Sequence, residues 1–178
     1  MNEKIISIEQ AIEMRNEYHT HVKTSIENAR GNGYQATDFA WIDLKTLKDY
    51  VALLEEINKS NSETISGVRI YFSAYPDAST FACDRTASVD LPARETLFIA
   101  PTVKVASSSL SSNYENLEHL PFCINPTDSN EPYKGDFVII NDLLCSNDNN
   151  SGSVARGSDY ENMTSLIMNR ATITPPPY

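Results

Sequence analysis

Arg69, Tyr71, Ser73 and Tyr75 fall at every second position of one β-rich run, Gly67-Val-Arg-Ile-Tyr-Phe-Ser-Ala-Tyr75. In an extended strand alternate side chains share a face, with about 7 Å between successive members. A guanidinium beside phenols on such a face can hold a carboxylate or a phosphate, or anchor a protein interface. Arg94, just ahead of the next strand, joins them if the two strands pair. Arg69, Tyr71, Tyr75 and Arg94 are therefore the expected ligand- or partner-binding residues. The interleaved Val68, Ile70, Phe72 and Ala74 share the other face, with Ile70 expected in the core. Whether the Arg/Tyr face is solvated or covered by a helix is left open by the spacing.

Other chemistry is sparse. His19 and His21 stand two apart on an expected helix and so point in different directions. There is no Gly-x-Ser-x-Gly elbow, no phosphate-cradling loop and no dinucleotide fingerprint, and the six glycines are scattered. Cys83, His119, Cys123 and Cys145 are the right residue types for a tetrahedral zinc site. They lack a C-x-x-C pair, however, and Pro121 breaks any helix that would align His119 with Cys123, so they read as scattered thiols. Asn147–Gly152 has part of a calcium-loop pattern, with Ser158 where a bidentate carboxylate is needed. The terminal Pro175-Pro-Pro-Tyr178 fits the polyproline pattern that WW domains read, and is taken as coincidence. No catalytic residue, metal or cofactor is expected.

These residues need elements to position them. Ser7-Ile-Glu-Gln10 is a capping box opening a helix through Ile8, Ala11, Ile12, Tyr18, Val22, Ile26 and Ala29. Gly31-Asn-Gly33 should end it near Arg30. Asp43 caps a second helix whose stripe is Leu44, Leu47, Val51, Leu54 and Ile57, widened by Tyr50 and Leu53. Strands follow at 67–75, at Thr96–Ala100 (ended by Pro101) and at Asp136–Ile140. Phe39–Ile42 and the 67–75 strand are expected to form a parallel β-α-β unit with a right-handed crossover. Leu47, Leu54, Ile70 and Leu97 are the expected core. Long polar loops are expected at 106–135 and 146–157. A second capping box, Ser158–Glu161, should open a short helix through Met163, Leu166 and Ile167. The expected class is α+β: a small mixed sheet of about four strands, two long N-terminal helices packed on one face, and a short C-terminal helix.

A length of 178 residues suits a single domain with a core of its own. A net charge of −10 argues against nucleic-acid binding and suits a basic protein partner. No apolar run is long enough to span a membrane or to act as a signal sequence, and an odd number of cysteines shows no secreted framework. The expected location is the cytoplasm.

The strand Gly67–Pro76, with Trp41-Ile-Asp-Leu44 before it and Thr96-Leu-Phe-Ile-Ala-Pro-Thr102 after it, resembles a family of small uncharacterised bacterial proteins. The resemblance covers the middle third of the chain. It implies a bacterial source and carries no activity. The leading functional expectation is a non-catalytic, acidic binding protein that uses its polar loops and the Arg/Tyr sheet face. The alternative is an enzyme or sensor that takes a small anionic ligand at Arg69, Tyr71, Tyr75 and Arg94.

Overall fold

The computed structural model describes residues 5–31, 33–75, 95–105, 118–144, 160–169 and, for the backbone alone, 172–174. Cys83, Arg94, Cys145, the loop expected at 146–157 and Ser158 lie outside the described residues. The described residues fall into two compact units. One gathers the chain through Trp41 with parts of 72–96 and 171–178; the other gathers 42–71 with 97–170.

The first unit begins with one joined helical run of three segments. These are α1 (Ile8–Glu17), a π-helical segment (Tyr18–Lys23) and α2 (Thr24–Arg30). The Ser7 capping box forms as expected, with the Gln10 amide donating to Ser7 Oγ at 3.2 Å and the Ser7 amide to Gln10 Oε1 at 3.1 Å. Gly31 ends the run with φ +62°, a conformation that costs a residue without Cβ nothing. The apolar stripe expected to bury α1 does not do so: no α1 residue is buried, and Ile8 and Ile12 stay exposed. Strand β1 (Phe39–Trp41) pairs antiparallel with β6 (Thr172–Thr174) as a ladder of its own.

The second unit holds α3 (Leu44–Ser60) and a four-stranded antiparallel sheet. Its strands are β2 (Ile65–Ala74), β3 (Glu95–Lys104), β4 (His119–Pro126) and β5 (Gly135–Ile139), in the order β2-β3-β4-β5. β2 and β3 each carry their end residues over into the first unit. The sheet is thus antiparallel where a mixed one was expected, and the parallel β-α-β unit does not form. β1 takes β6 as its partner, and β2 pairs with the next strand in sequence. Such antiparallel neighbours need no buried crossover.

The core joins Tyr50, Leu54 and Ile57 of α3 to Ile99, Val103, Phe122, Ile124, Phe137 and Leu166. Phe122 and Phe137 stack across β4 and β5, with centroids 4.0 Å apart. α3 turns a slightly different face inward than its stripe suggests. Tyr50, Leu54 and Ile57 are buried, while Leu44, Leu47 and Val51 remain exposed. Of the four expected core residues, Leu54 is buried, Leu97 packs half-buried against the core, and Leu47 and Ile70 are exposed.

β4 falls inside the stretch expected to be a polar loop, yet five of its eight residues are buried. Its prolines obscured it. Pro121 sits where β4 changes partner: Thr102 to Lys104 of β3 pair with 119–121, and 135–139 of β5 pair with 122–126. A missing N–H is tolerated at such a changeover, while the Pro121 carbonyl still accepts from the Ile140 amide at 2.9 Å. Pro101 does not end β3 for a similar reason. It lies between the pairing of Ile99 with Met168 and that of Thr102 with Pro121.

The short C-terminal helix expected through Leu166 is absent. Residues 164–168 are extended, exchanging backbone bonds with Ile124 at Thr164 and with Ile99 at Met168. Leu166 is buried between these two bridges, and the Tyr50 hydroxyl donates to its carbonyl at 3.0 Å. Tertiary hydrogen bonds to two strands outweigh a helix of barely two turns, which is marginal on its own.

Candidate interaction surface

From Val68 onward the alternation of β2 is as expected, but its faces are reversed. Arg69, Tyr71, Ser73 and Tyr75 are half-buried, whereas Val68, Ile70 and Phe72 are 47%, 57% and 93% exposed. Tyr71 decides the orientation. It stacks on Phe98 of β3, and its hydroxyl donates to the Leu143 carbonyl in the 3₁₀ turn Asn141–Leu143. Phe98 alternates with Ile99, which packs under α3. Tyr71 therefore lies on the side of the sheet away from α3, and Ile70 projects on the α3 side.

Ile70 stays exposed because α3 lies over β3, β4 and β5. From β2 only the half-buried Ile65 packs against the core. Ile65 and Tyr71 thus lie on opposite sides, so the alternation of β2 breaks between Ser66 and Tyr71, where Gly67 has φ +159°. β2 is also the edge of the sheet, and among the described residues no strand pairs with its outer side.

Of the four expected binding residues, Arg69 and Tyr71 stand two apart on one face of β2. Tyr75 lies just past the end of that strand, in the part of the chain assigned to the other unit. Arg94 lies outside the described residues, so the four are not seen as one site.

The outer part of the α3 stripe was read from the sequence as facing the core, not as a surface. Leu44, Leu47 and Val51 are 64%, 40% and 46% exposed. The signal was present: the apolar arc of this helix, from Leu44 through Tyr50 and Leu53 to Ile57, is wider than one sheet can cover. Glu55, one turn beyond Val51, is exposed as well.

The densest polar cluster belongs to the first unit and acts as a brace. The π-helical segment re-aims its side chains relative to a regular helix. Lys23 Nζ donates to Asp38 Oδ1 at 2.9 Å, and both side chains are about nine-tenths buried. His19 Nε2 stands 2.8 Å from the same oxygen, out of line for a hydrogen bond. The Tyr18 hydroxyl donates to the Thr37 carbonyl at 2.8 Å. Glu95 Oε2 accepts from the Tyr34 hydroxyl at 2.7 Å, from the Thr37 amide at 3.2 Å and from Thr37 Oγ1 at 3.1 Å.

Burial alone would raise the Asp38 carboxyl, but the Lys23 hydrogen bond and charge outweigh it and hold it below its ordinary value. Burial opposes ionisation of Glu95 too, and its Tyr34 and Thr37 donors again win, so that its value is lowered. Burial, then Glu95, raises both the Tyr18 and the Tyr34 hydroxyls. These groups hold segment 34–38 against the helical run and the start of β3.

His119 and Cys123, two of the residues of the right type for zinc, lie four residues apart on an extended strand, roughly 13 Å by strand geometry. One ion cannot bridge that span. Among the described residues no group of three or more His, Cys, Asp or Glu side chains is placed to hold a metal. Cys123 is buried, which pushes its thiol up, and its Sγ lies 3.1 Å from Met163 Sδ. His119 Nδ1 instead meets Ser66 Oγ at 2.9 Å, and that hydroxyl also contacts Thr102.

An open cleft of about 380 Å³ beside the core is lined by Tyr50, Leu53, Tyr133 and residues 165–169. It has no lysine or arginine for an anionic ligand. Burial pushes the Tyr50 hydroxyl there up to about 12, and this group is already bonded to the Leu166 carbonyl.

No helix among the described residues is long and apolar enough to cross a membrane. No family model, curated protein or solved structure matches this chain.

Proposed function

We propose that this chain is a non-catalytic, acidic interaction protein, and that its contact surface for a basic protein partner is the outer stripe of α3. The observation that carries the reading is the exposure of Leu44, Leu47 and Val51, three apolar side chains in line along one face of a long, well-capped helix. Apolar anchors of this kind supply the desolvated centre of a protein contact, and surrounding charge selects the partner. Glu55 extends the stripe, and the net charge of −10 favours encounter with a basic protein. The reading of Arg69 and Tyr71 as an anion site has less behind it, because the Tyr71 ring and hydroxyl are already engaged by Phe98 and Leu143.

The test is a photo-crosslinking residue placed at position 47, with a control at the exposed Glu131, in cells of the native host. The reading expects an adduct from position 47 alone, with a basic protein. Binding should be reproduced with the purified pair, weakened by salt and lost in Leu47→Asp. It fails if position 47 gives no adduct or the same adducts as position 131. It also fails if the purified partner binds Leu47→Asp as tightly as the parent chain.

A further inference from the structure

β2 has three properties that meet in one strand. It spans ten residues, longer than the usual five or six, and its outer edge is unpaired among the described residues. Two of the usual edge protections are missing from its exposed face. No proline interrupts it, and its one charged residue, Arg69, is on the other face. The exposed face is apolar, with Val68, Ile70 and Phe72 in line. A long, apolar edge is a template for another strand.

We infer that the edge of β2 is occupied by β2 of a second copy of this chain, antiparallel about a two-fold axis at Ile70. The argument is self-complementarity, which a two-fold contact requires: if one residue meets another, the reverse contact must also form. With the axis at Ile70, that residue faces its own image. Val68 then comes opposite Phe72 of the second copy, and Phe72 opposite Val68. Apolar β-branched and aromatic side chains are thereby paired across the strands, the combination that stabilises cross-strand neighbours.

On the opposite face, Arg69 falls beside Tyr71 of the second copy, where a guanidinium and a phenol ring attract. The axis at Ile70 therefore keeps the only charge of the strand away from its own image. Moving it one residue back sets Arg69 against Arg69, which is repulsive. Moving it one residue forward leaves Val68 against Ala74 and Arg69 against Ser73. It sets Ile70 against Phe72 but gives up the Arg69–Tyr71 contact, so the axis at Ile70 is the one that keeps both an apolar and a cation–ring pair. The net charge of −10 on each copy opposes the approach, so the dimer should tighten as salt screens that repulsion. The α3 stripe is not involved, and this inference stands or falls apart from the function proposed for it.

The test uses the full chain. Sedimentation over a concentration series should show a dimer at tens of micromolar, tighter at about 0.5 M salt than at about 0.05 M. Ile70→Lys should weaken it at least ~10-fold with the melting temperature of the dilute protein unchanged, while Leu47→Asp should leave it intact. Register is read by mild oxidation. Ile70→Cys should form an intermolecular disulfide, because directly opposed residues lie within disulfide reach. Val68→Cys should not, because its image is displaced four residues along the strand. The wild type serves as control for the native thiols. A monomer at every concentration overturns the inference, as does a dimer that survives Ile70→Lys. Crosslinking through Val68→Cys in place of Ile70→Cys overturns the register.

Discussion

Tyr71 of β2 stacks on Phe98 of β3 with ring centroids 4.8 Å apart and planes 12° from parallel, and its hydroxyl reaches the Leu143 carbonyl at 3.0 Å. One side chain thus ties the edge strand to its neighbour and to the turn after β5. Tyr71→Ala should cost about 2–4 kcal/mol, since it removes an aromatic pair and leaves a hollow beside Phe98. Tyr71→Phe keeps the ring and should cost about 1 kcal/mol, the usual worth of one hydrogen bond. Urea titrations in the Ile70→Lys background keep association out of the comparison. Equal losses for the two variants would show that the stack contributes little.

Leu47 and Leu54 belong to one stripe in the sequence but to two environments in the fold. Leu54 is 7% exposed in the core and Leu47 is 40% exposed. Leu54→Ala should cost about 2–5 kcal/mol, and Leu47→Ala less than about 1 kcal/mol. Denaturant midpoints of the two variants decide it, and the reverse order would mean that α3 turns its other side inward.

Asp38 and Glu95 give the first unit an acid dependence of known sign. Their folded values lie below ordinary values of 3.8 and 4.5. The stabilisation they provide is therefore complete above the unfolded values and is lost as pH falls through the lowered folded ones. Stability should hold as pH falls to about 5 and decline below it. Asp38→Asn should be less stable at neutral pH, because it leaves the buried Lys23 charge uncompensated, and should show a shallower acid decline. Urea midpoints measured across the acid range test this. An acid slope identical to that of the wild type would remove Asp38 from the explanation.

Gly135 opens β5 against the end of β4. A Cβ there would lie 2.0 Å from the Asn125 carbonyl oxygen and 2.9 Å from Pro126 Cα, both backbone atoms of the paired strand. The Gly135 amide also donates to Asn61 Oδ1 at 2.9 Å, so the strand cannot shift without losing that bond. Gly135→Ala should destabilise by about 2 kcal/mol or more, the scale of overpacking against atoms that cannot yield. A melting temperature matching the wild type would show that this strand end relaxes freely.

What was legible in the sequence is local. The Ser7 capping box, the Gly31 stop and the Asp43 cap are set by hydrogen bonds and backbone preferences within a few residues, and all form as read. The period-two alternation of β2 and the existence of β5 were legible for the same reason. For the candidate surfaces, the residue sets on each face of β2 and along α3 could be read from spacing alone.

Tertiary structure decided which of those faces is covered. Alternation sorts residues into two sets without saying which set meets the core. At β2 the choice fell to Phe98 and Leu143, which capture Tyr71, and to α3, which covers β3 to β5 and leaves Ile70 bare. β4 was hidden because its prolines oppose a strand locally, and only the change of partner at Pro121 makes them harmless. Residues 164–168 follow helical spacing yet lie extended, since bonds to Ile99 and Ile124, distant in sequence, outweigh a short helix. Local preference is worth tenths of a kcal/mol per residue. Burial of a single large side chain is worth about 1.5–3 kcal/mol. Wherever the two disagreed, burial and long-range pairing set the outcome.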